Sequence, residues 1–159
     1  MWDTDLDVEQ LTDDFFNNYY KDVAPQVRAV YDLFRTHLAR LDDERNHQLH
    51  FTVYNDEIVG DKVWPRNIVE QAIKLLNEAL DICARMEDRV LAEKLKNRVL
   101  EEKTCVQYLQ VYNKANYVYD TDTYASIYNS FKENAEYLRV TAYREGVNIS
   151  TFLKNNAIK

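Results

Sequence analysis

The chain has 159 residues, 46% apolar and 30% charged, with only two glycines and two prolines. Ordinary proteins carry about 7% glycine alone, so this scarcity excludes β-sandwiches, propellers, collagen-like repeats and Gly-rich nucleotide folds, and the apolar share excludes bulk disorder. The formal charge is −7, of which residues 1–22 supply −6 through seven acids against Lys21; such a surface repels phosphate backbones and anionic lipid, so neither nucleic acid nor a membrane is an expected partner.

Apolar spacing is helical nearly throughout. It predicts a first helix over residues 7–20, with Asp7 as N-cap and Val8, Leu11, Phe15 and Tyr19 as the buried stripe. A second helix follows over 24–41, with Pro25 in its first turn and Val27, Tyr31, Phe34, Leu38 and Leu41 facing inward. Residues 42–62 interrupt the pattern. Asp42–Asn46 is polar, Leu49, Phe51 and Val53 then alternate with His50, Thr52 and Tyr54, and Gly60 lies near the end. This stretch reads as an ordered linker with a short strand or irregular hairpin. A third helix runs from Pro65 to Met86 on Val69, Ala72, Ile73, Leu76, Leu80 and Cys83. A fourth covers 88–116 on Leu91, Leu95, Val99, Val106, Leu109 and Tyr112. A fifth starts at Asp120 or Asp122 and reaches residue 144 on Tyr124, Ile127, Phe131, Ala135, Leu138 and Ala142. Gly146 suits the left-handed position after it, and a short helix capped by Ser150 follows.

The expected fold is therefore all-α: an N-terminal helix pair (1–41), an irregular linker (42–62), and an antiparallel three-helix bundle with a short C-terminal helix (63–159). Short connections near 88 and 119 favour antiparallel neighbours.

Residues able to carry chemistry are few. Cys83 and Cys105 flank the turn near 88. On antiparallel helices they would lie roughly 20 Å apart along the axis, beyond the roughly 7 Å that a disulfide spans, so both read as core thiols. His47 and His50 have no third ligand nearby, and no metal or cofactor is expected. The acid pairs Asp13/Asp14, Asp42/Asp43, Asp56/Glu57 and Glu101/Glu102 are sequence neighbours, which point apart on a helix and do not build a two-carboxylate cleft. No Gly-rich phosphate loop or G-x-S-x-G elbow is present. The bases Arg85, Arg89, Lys94, Lys96, Arg98 and Lys103 alternate with acids, the pattern of an exposed ion-paired face. Tyrosine is the outlier, twelve in all, with Tyr108, Tyr112, Tyr117, Tyr119, Tyr124 and Tyr128 around the turn between the fourth and fifth helices. Core margin, protein interface and sugar contact all remain open for them.

The run Met1-Trp2-Asp3-Thr4-Asp5-Leu6-Asp7-Val8, its continuation Asp14-Phe15-Phe16-Asn17-Asn18-Tyr19-Tyr20, and Ala24-Pro25-Gln26-Val27-Arg28 resemble a bacterial domain-of-unknown-function family of glycoside-hydrolase-like proteins, distantly akin to α-glucuronidases. The specific part is the first 35 or so residues; Thr4 stands where that family usually has proline, and Lys21 where glycine is common. In such proteins this stretch follows a catalytic (β/α)₈ barrel and opens a helical C-terminal region. The resemblance implies a piece of a larger polysaccharide-processing protein, with Met1 not its natural start. It transfers no catalytic residue.

The expected function is thus a non-catalytic helical accessory module, scaffolding the barrel of a parent protein or making a homodimer contact. The alternative is a free-standing helical-bundle interaction module. The expected interaction residues are Phe16, Tyr20, Tyr108, Tyr112, Tyr117 and Tyr119. An accessory module should expose Phe16, Tyr20 or Val23 when isolated; a self-sufficient bundle should bury them.

Overall fold

A computed structural model describes residues 7–45, 56–144 and 147–158. Among the described residues the fold is all-α apart from one small hairpin. Helix α1 spans Val8–Tyr20, and the Asp7 carboxylate caps it by accepting from the amides of Glu9 (3.0 Å) and Gln10 (3.3 Å). A single 3₁₀ turn, Lys21–Val23, leads into α2, Ala24–Glu44. Lys21 sits at φ 51°, in the half of backbone space where glycine is comfortable. The following Ala24 and Pro25 restart the helix at once.

The buried face of α1 differs from the predicted one. Phe16 and Tyr20 are 5% and 3% exposed, whereas Val8, Leu11, Phe15 and Tyr19 are 73%, 48%, 53% and 36% exposed. Both sets have i, i+4 spacing, so periodicity alone cannot choose between them. Contacts made only in the tertiary fold separate the two faces: Tyr20 Oη donates to Glu102 of α5 at 2.6 Å, Arg28 of α2 pairs with Glu9 and Asp13 at 2.9 Å each, and Arg35 with Glu9 at 2.9 Å. Those pairs turn the Glu9/Asp13 side, and with it Phe16 and Tyr20, towards α2. In α2 itself Val30 and His37 are buried, while the predicted Tyr31 is exposed.

The expected strand around Leu49–Val53 lies outside the described residues. The described part of the connection is tied down by α3 (Asp56–Val59) and a turn in which Gly60 C=O accepts from Val63 and Trp64. His37 Nε2 meets Val63 C=O at 2.7 Å, and Trp64 Nε1–H donates to Ile58 C=O at 2.9 Å.

Helix α4, Arg66–Arg85, buries Val69, Ala72, Leu76, Ala79 and Cys83. Met86–Asp88 turns the chain, and α5 (Arg89–Tyr112) runs back along α4, capped by the Asp88 carboxylate. The predicted helix over 88–116 breaks at Asn113. Its buried side chain donates to Val59 C=O (2.9 Å) and Leu109 C=O (3.0 Å), and a separate turn, α6 (Lys114–Tyr117), follows.

Helix α7, Thr121–Tyr137, is capped by Asp120 and stops well before the predicted residue 144. Arg139 takes the left-handed position (φ 55°), and Val140 N–H reaches back to Ala135 C=O (2.9 Å). That bond closes the helix as a glycine C-cap would. Residues Ala142–Arg144 (β1) and Val147–Asn148 (β2) then form an antiparallel hairpin, and α8, Ile149–Asn156, is capped by Asn148, not by the predicted Ser150. Gly146 lies outside the described residues.

Helix α1 packs on α2, α2 on α4, α4 on α5, and α5 on α7. One core cluster joins α1, α2, α4 and α5 through Phe16, Val27, Leu76 and Leu95; a smaller one joins Val111, Tyr128, Phe131 and Phe152. Tyr108 and Tyr112 of α5 touch both.

Candidate functional site

Three surface features result from this packing. The first is the outer face of α1. Four apolar side chains at i, i+3/i+4 spacing project from one helix into solvent, and the Phe15 and Tyr19 rings stack with centroids 5.4 Å apart. Arg98 of α5 anchors the end of this stripe: its guanidinium lies 3.7 Å from the Tyr19 ring centroid and donates to Tyr19 C=O. Asp14 and Asn18 edge the stripe on its far side, and the Asn18 amide donates to Asp14 C=O at 2.8 Å.

Beneath that face sits a carboxylate node. Glu102 Oε1 accepts from Tyr20 Oη at 2.6 Å and from Tyr31 Oη at 3.1 Å, tying α1 and α2 to α5. Packed atoms around its hydroxyl, then the Glu102 charge, push the phenol of the otherwise exposed Tyr31 up to about 12; Tyr20, which is buried, is raised further by burial and by Glu102. Unfolded tyrosine ionises near pH 10 (roughly). Between about pH 10 and 12 the folded chain therefore holds more phenolic protons than the unfolded one, and stability that is complete below pH 10 falls as pH rises. The urea midpoint should drop across that window and Tyr31→Phe should shallow the drop; a flat midpoint would contradict the node.

The predicted tyrosines do not form one surface. Tyr117 is buried and donates to Trp64 C=O, and Tyr119 lies under the Arg66 guanidinium at 4.5 Å. Arg66 also donates to Tyr117 C=O at 2.8 Å, pinning this pair to the first turn of α4. Tyr124 and Tyr128 donate to the Asn156 and Leu153 carbonyls (2.6 and 3.0 Å), fastening α8 to α7. Tyr108 and Tyr112 are half-buried on α5, with ring centroids 5.8 Å apart. Of the expected interaction residues, Phe16, Tyr20 and Tyr117 are core members, and the exposed aromatics of α1 are their neighbours Phe15 and Tyr19.

The second feature is a cavity of about 380 Å³ between α5, the end of α7, the hairpin and α8. Tyr108, Phe131, Tyr143 and Ile149 wall it, and Glu101 and Cys105 lie at its side. Cys105 is exposed here, not in the core as expected, while Cys83 is buried. Packed atoms around the Cys105 sulfur and the nearby Glu102 and Glu101 charges push its thiol up.

The third is a notch of about 490 Å³ at the α4–α5 turn, carrying Asp81, Arg89, Glu93 and Lys96. Glu93 accepts from Tyr137 Oη (2.8 Å) and Lys96 Nζ (3.3 Å), which hold its carboxyl below the usual range. A carboxyl held ionised is poorly suited to general-acid work near neutrality. Among the described residues no cluster of three or more potential metal ligands occurs, and no helix is long and apolar enough to cross a membrane.

Sequence reasoning missed the exposed stripe because it assigned those four residues to the core. The signal was present: α1 has aromatics at both 15/16 and 19/20, one pair more than a helix packed on a single neighbour can bury. The chain matches no family model, no curated protein and no solved structure.

Proposed function

We propose that this chain is a non-catalytic helical interaction module that docks on another protein surface through the outer face of α1. The observation that carries the reading is the solvent-facing stripe of Val8, Leu11, Phe15 and Tyr19. Large apolar side chains lined along one helix mark an interaction site more often than an idle surface, and aromatic anchors are what interfaces concentrate. Phe16, Tyr20 and Val23 are buried, which supports a bundle that completes its own core. A second reading, the accessory scaffold of a glycoside-hydrolase-like protein, has one observation in its favour. Apolar surface at the first helix is what a junction with a barrel requires, although residues other than those expected carry it.

The test is photocrosslinking in an extract of the source cells, with a benzophenone side chain at position 15 and, as control, at the exposed Glu133. Position 15 should give a discrete adduct that Leu11→Ser abolishes, while the variant's stability changes by no more than about 0.5 kcal/mol. Identical adduct patterns at 15 and 133 would overturn the proposal. A barrel-containing adduct would select the scaffold reading.

A further inference from the structure

The cavity between α5, the end of α7, the hairpin and α8 differs in kind from the other two features. The α4–α5 notch carries both signs of charge, and its Glu93 is already paired with Lys96. The outer face of α1 is a ridge. The α5–α8 cavity is concave, about 380 Å³, within the roughly 300–1,000 Å³ usual for small-molecule sites. Its walls are apolar, with Tyr108, Phe131 and Tyr143 beside Leu138, Val140 and Ile149; behind them Phe152 packs on Tyr108 and Tyr143 with ring centroids 4.9 Å apart and meets Phe131 edge-on at 5.9 Å.

The polar groups around it narrow what it can hold. Thr104 commits its one hydroxyl proton to Leu100 C=O at 2.7 Å, so towards the cavity it can accept but not donate. Packed atoms around its sulfur, then the Glu102 and Glu101 charges, push the Cys105 thiol up and disfavour its anion. Among the described residues lining the cavity, Glu101 is the sole charged group and no base accompanies it. An anion would face Glu101 with Glu102 close behind. A neutral apolar molecule would leave the carboxylate unused. A cation with an apolar body satisfies both halves, because aromatic ring faces attract cations as well as alkyl groups.

We propose that this cavity binds an organic cation carrying an apolar body, an aryl- or alkylammonium, with the ammonium beside Glu101 and the body against Tyr108 and Tyr143. The site is on a different surface from the outer face of α1, so its failure and the failure of the interaction reading are separable.

The two cysteines supply the readout. Cys105 lines the cavity and is exposed, and Cys83 is buried and serves as internal reference. The probes are benzyltrimethylammonium, neutral benzyl alcohol, anionic benzenesulfonate, and tetramethylammonium, which has the charge without the body. Benzyltrimethylammonium should slow Cys105 labelling by a thiol reagent in a saturable way, leave Cys83 unchanged and raise Tm. The other three should bind at least about tenfold more weakly by calorimetry. Glu101→Gln, at an exposed position, should keep the fold and weaken the cation about fivefold, as a partly desolvated charge contact does. Equal binding of benzyl alcohol and benzyltrimethylammonium, equal binding by the Glu101→Gln variant, or no protection of Cys105 would each overturn the proposal.

Discussion

Phe16→Ala should destabilise the chain by about 3–5 kcal/mol, the usual cost of emptying a buried phenylalanine site, while Phe15→Ser, one residue away, should cost only about 1–1.5 kcal/mol, the scale of its partly exposed ring contacts. Phe16 is 5% exposed and inserts between α1 and α2. Its ring stacks on Tyr20 at 5.7 Å, meets Tyr31 edge-on at 5.1 Å, and carries the Arg28 guanidinium 5.3 Å above it. Truncation would open a cavity and also remove the platform that orients Tyr20 and Tyr31 towards Glu102. Phe15 touches Tyr19 and the edges of Phe16 and Tyr20, but more than half of it faces solvent. Serine there gives up the Tyr19 stack and two ring-edge contacts but opens no cavity. Urea unfolding of both variants gives the answer directly. A larger loss at position 15 than at 16 would mean that α1 is rotated relative to its described orientation, and the interaction surface would have to be sought elsewhere.

That pair of residues also marks where the sequence stops being informative. Helix existence was legible because apolar residues recur at three and four positions, glycine and proline are nearly absent, and Asp7 and Asp120 stand at helix starts as caps. Facing was legible for α4, whose single narrow stripe from Val69 to Cys83 leaves one choice. It was not legible for α1, where long-range contacts, the Tyr20–Glu102 bond and the ion pairs from Arg28 and Arg35, distinguish two aromatic faces of equal spacing. The break at Asn113 was equally hidden. Asparagine in a helical run usually points to water, but this one turns inward because Val59 C=O, 54 residues earlier in the chain, needs a donor. The end of α7 was overshot since Arg139, and not a glycine, adopts the left-handed conformation. The exposed stripe and the aromatic cavity are tertiary features. Each depends on which side of a helix its neighbours leave open, and a pattern of residue types does not record that.

Phe131→Ala carries the other large expected effect, about 3–5 kcal/mol, and the loss should be unevenly distributed. Phe131 is 2% exposed and belongs to the smaller core cluster with Val111, Tyr128 and Phe152. Helix α8 has only eight residues, too short to persist alone. It is retained by Phe152, which packs on Phe131 at 5.9 Å and on Tyr108 at 4.9 Å, and by carbonyl bonds from Tyr124 and Tyr128. The larger cluster draws on α1, α2, α4 and α5 and does not include Phe131. Local opening follows the units that share a core. Amide exchange in α8 and the hairpin should therefore accelerate strongly in the variant, while α4 and the first half of α5 stay protected until global unfolding. The cavity walled by Phe131 should collapse with them, stripping the packed atoms from the Cys105 sulfur and speeding its labelling while the buried Cys83 remains slow. Uniform acceleration across α4, α5 and α8 would show one cooperative core instead of two. In that case the hairpin and α8 would be as firmly held as the bundle, and the cavity between them would be a rigid pocket.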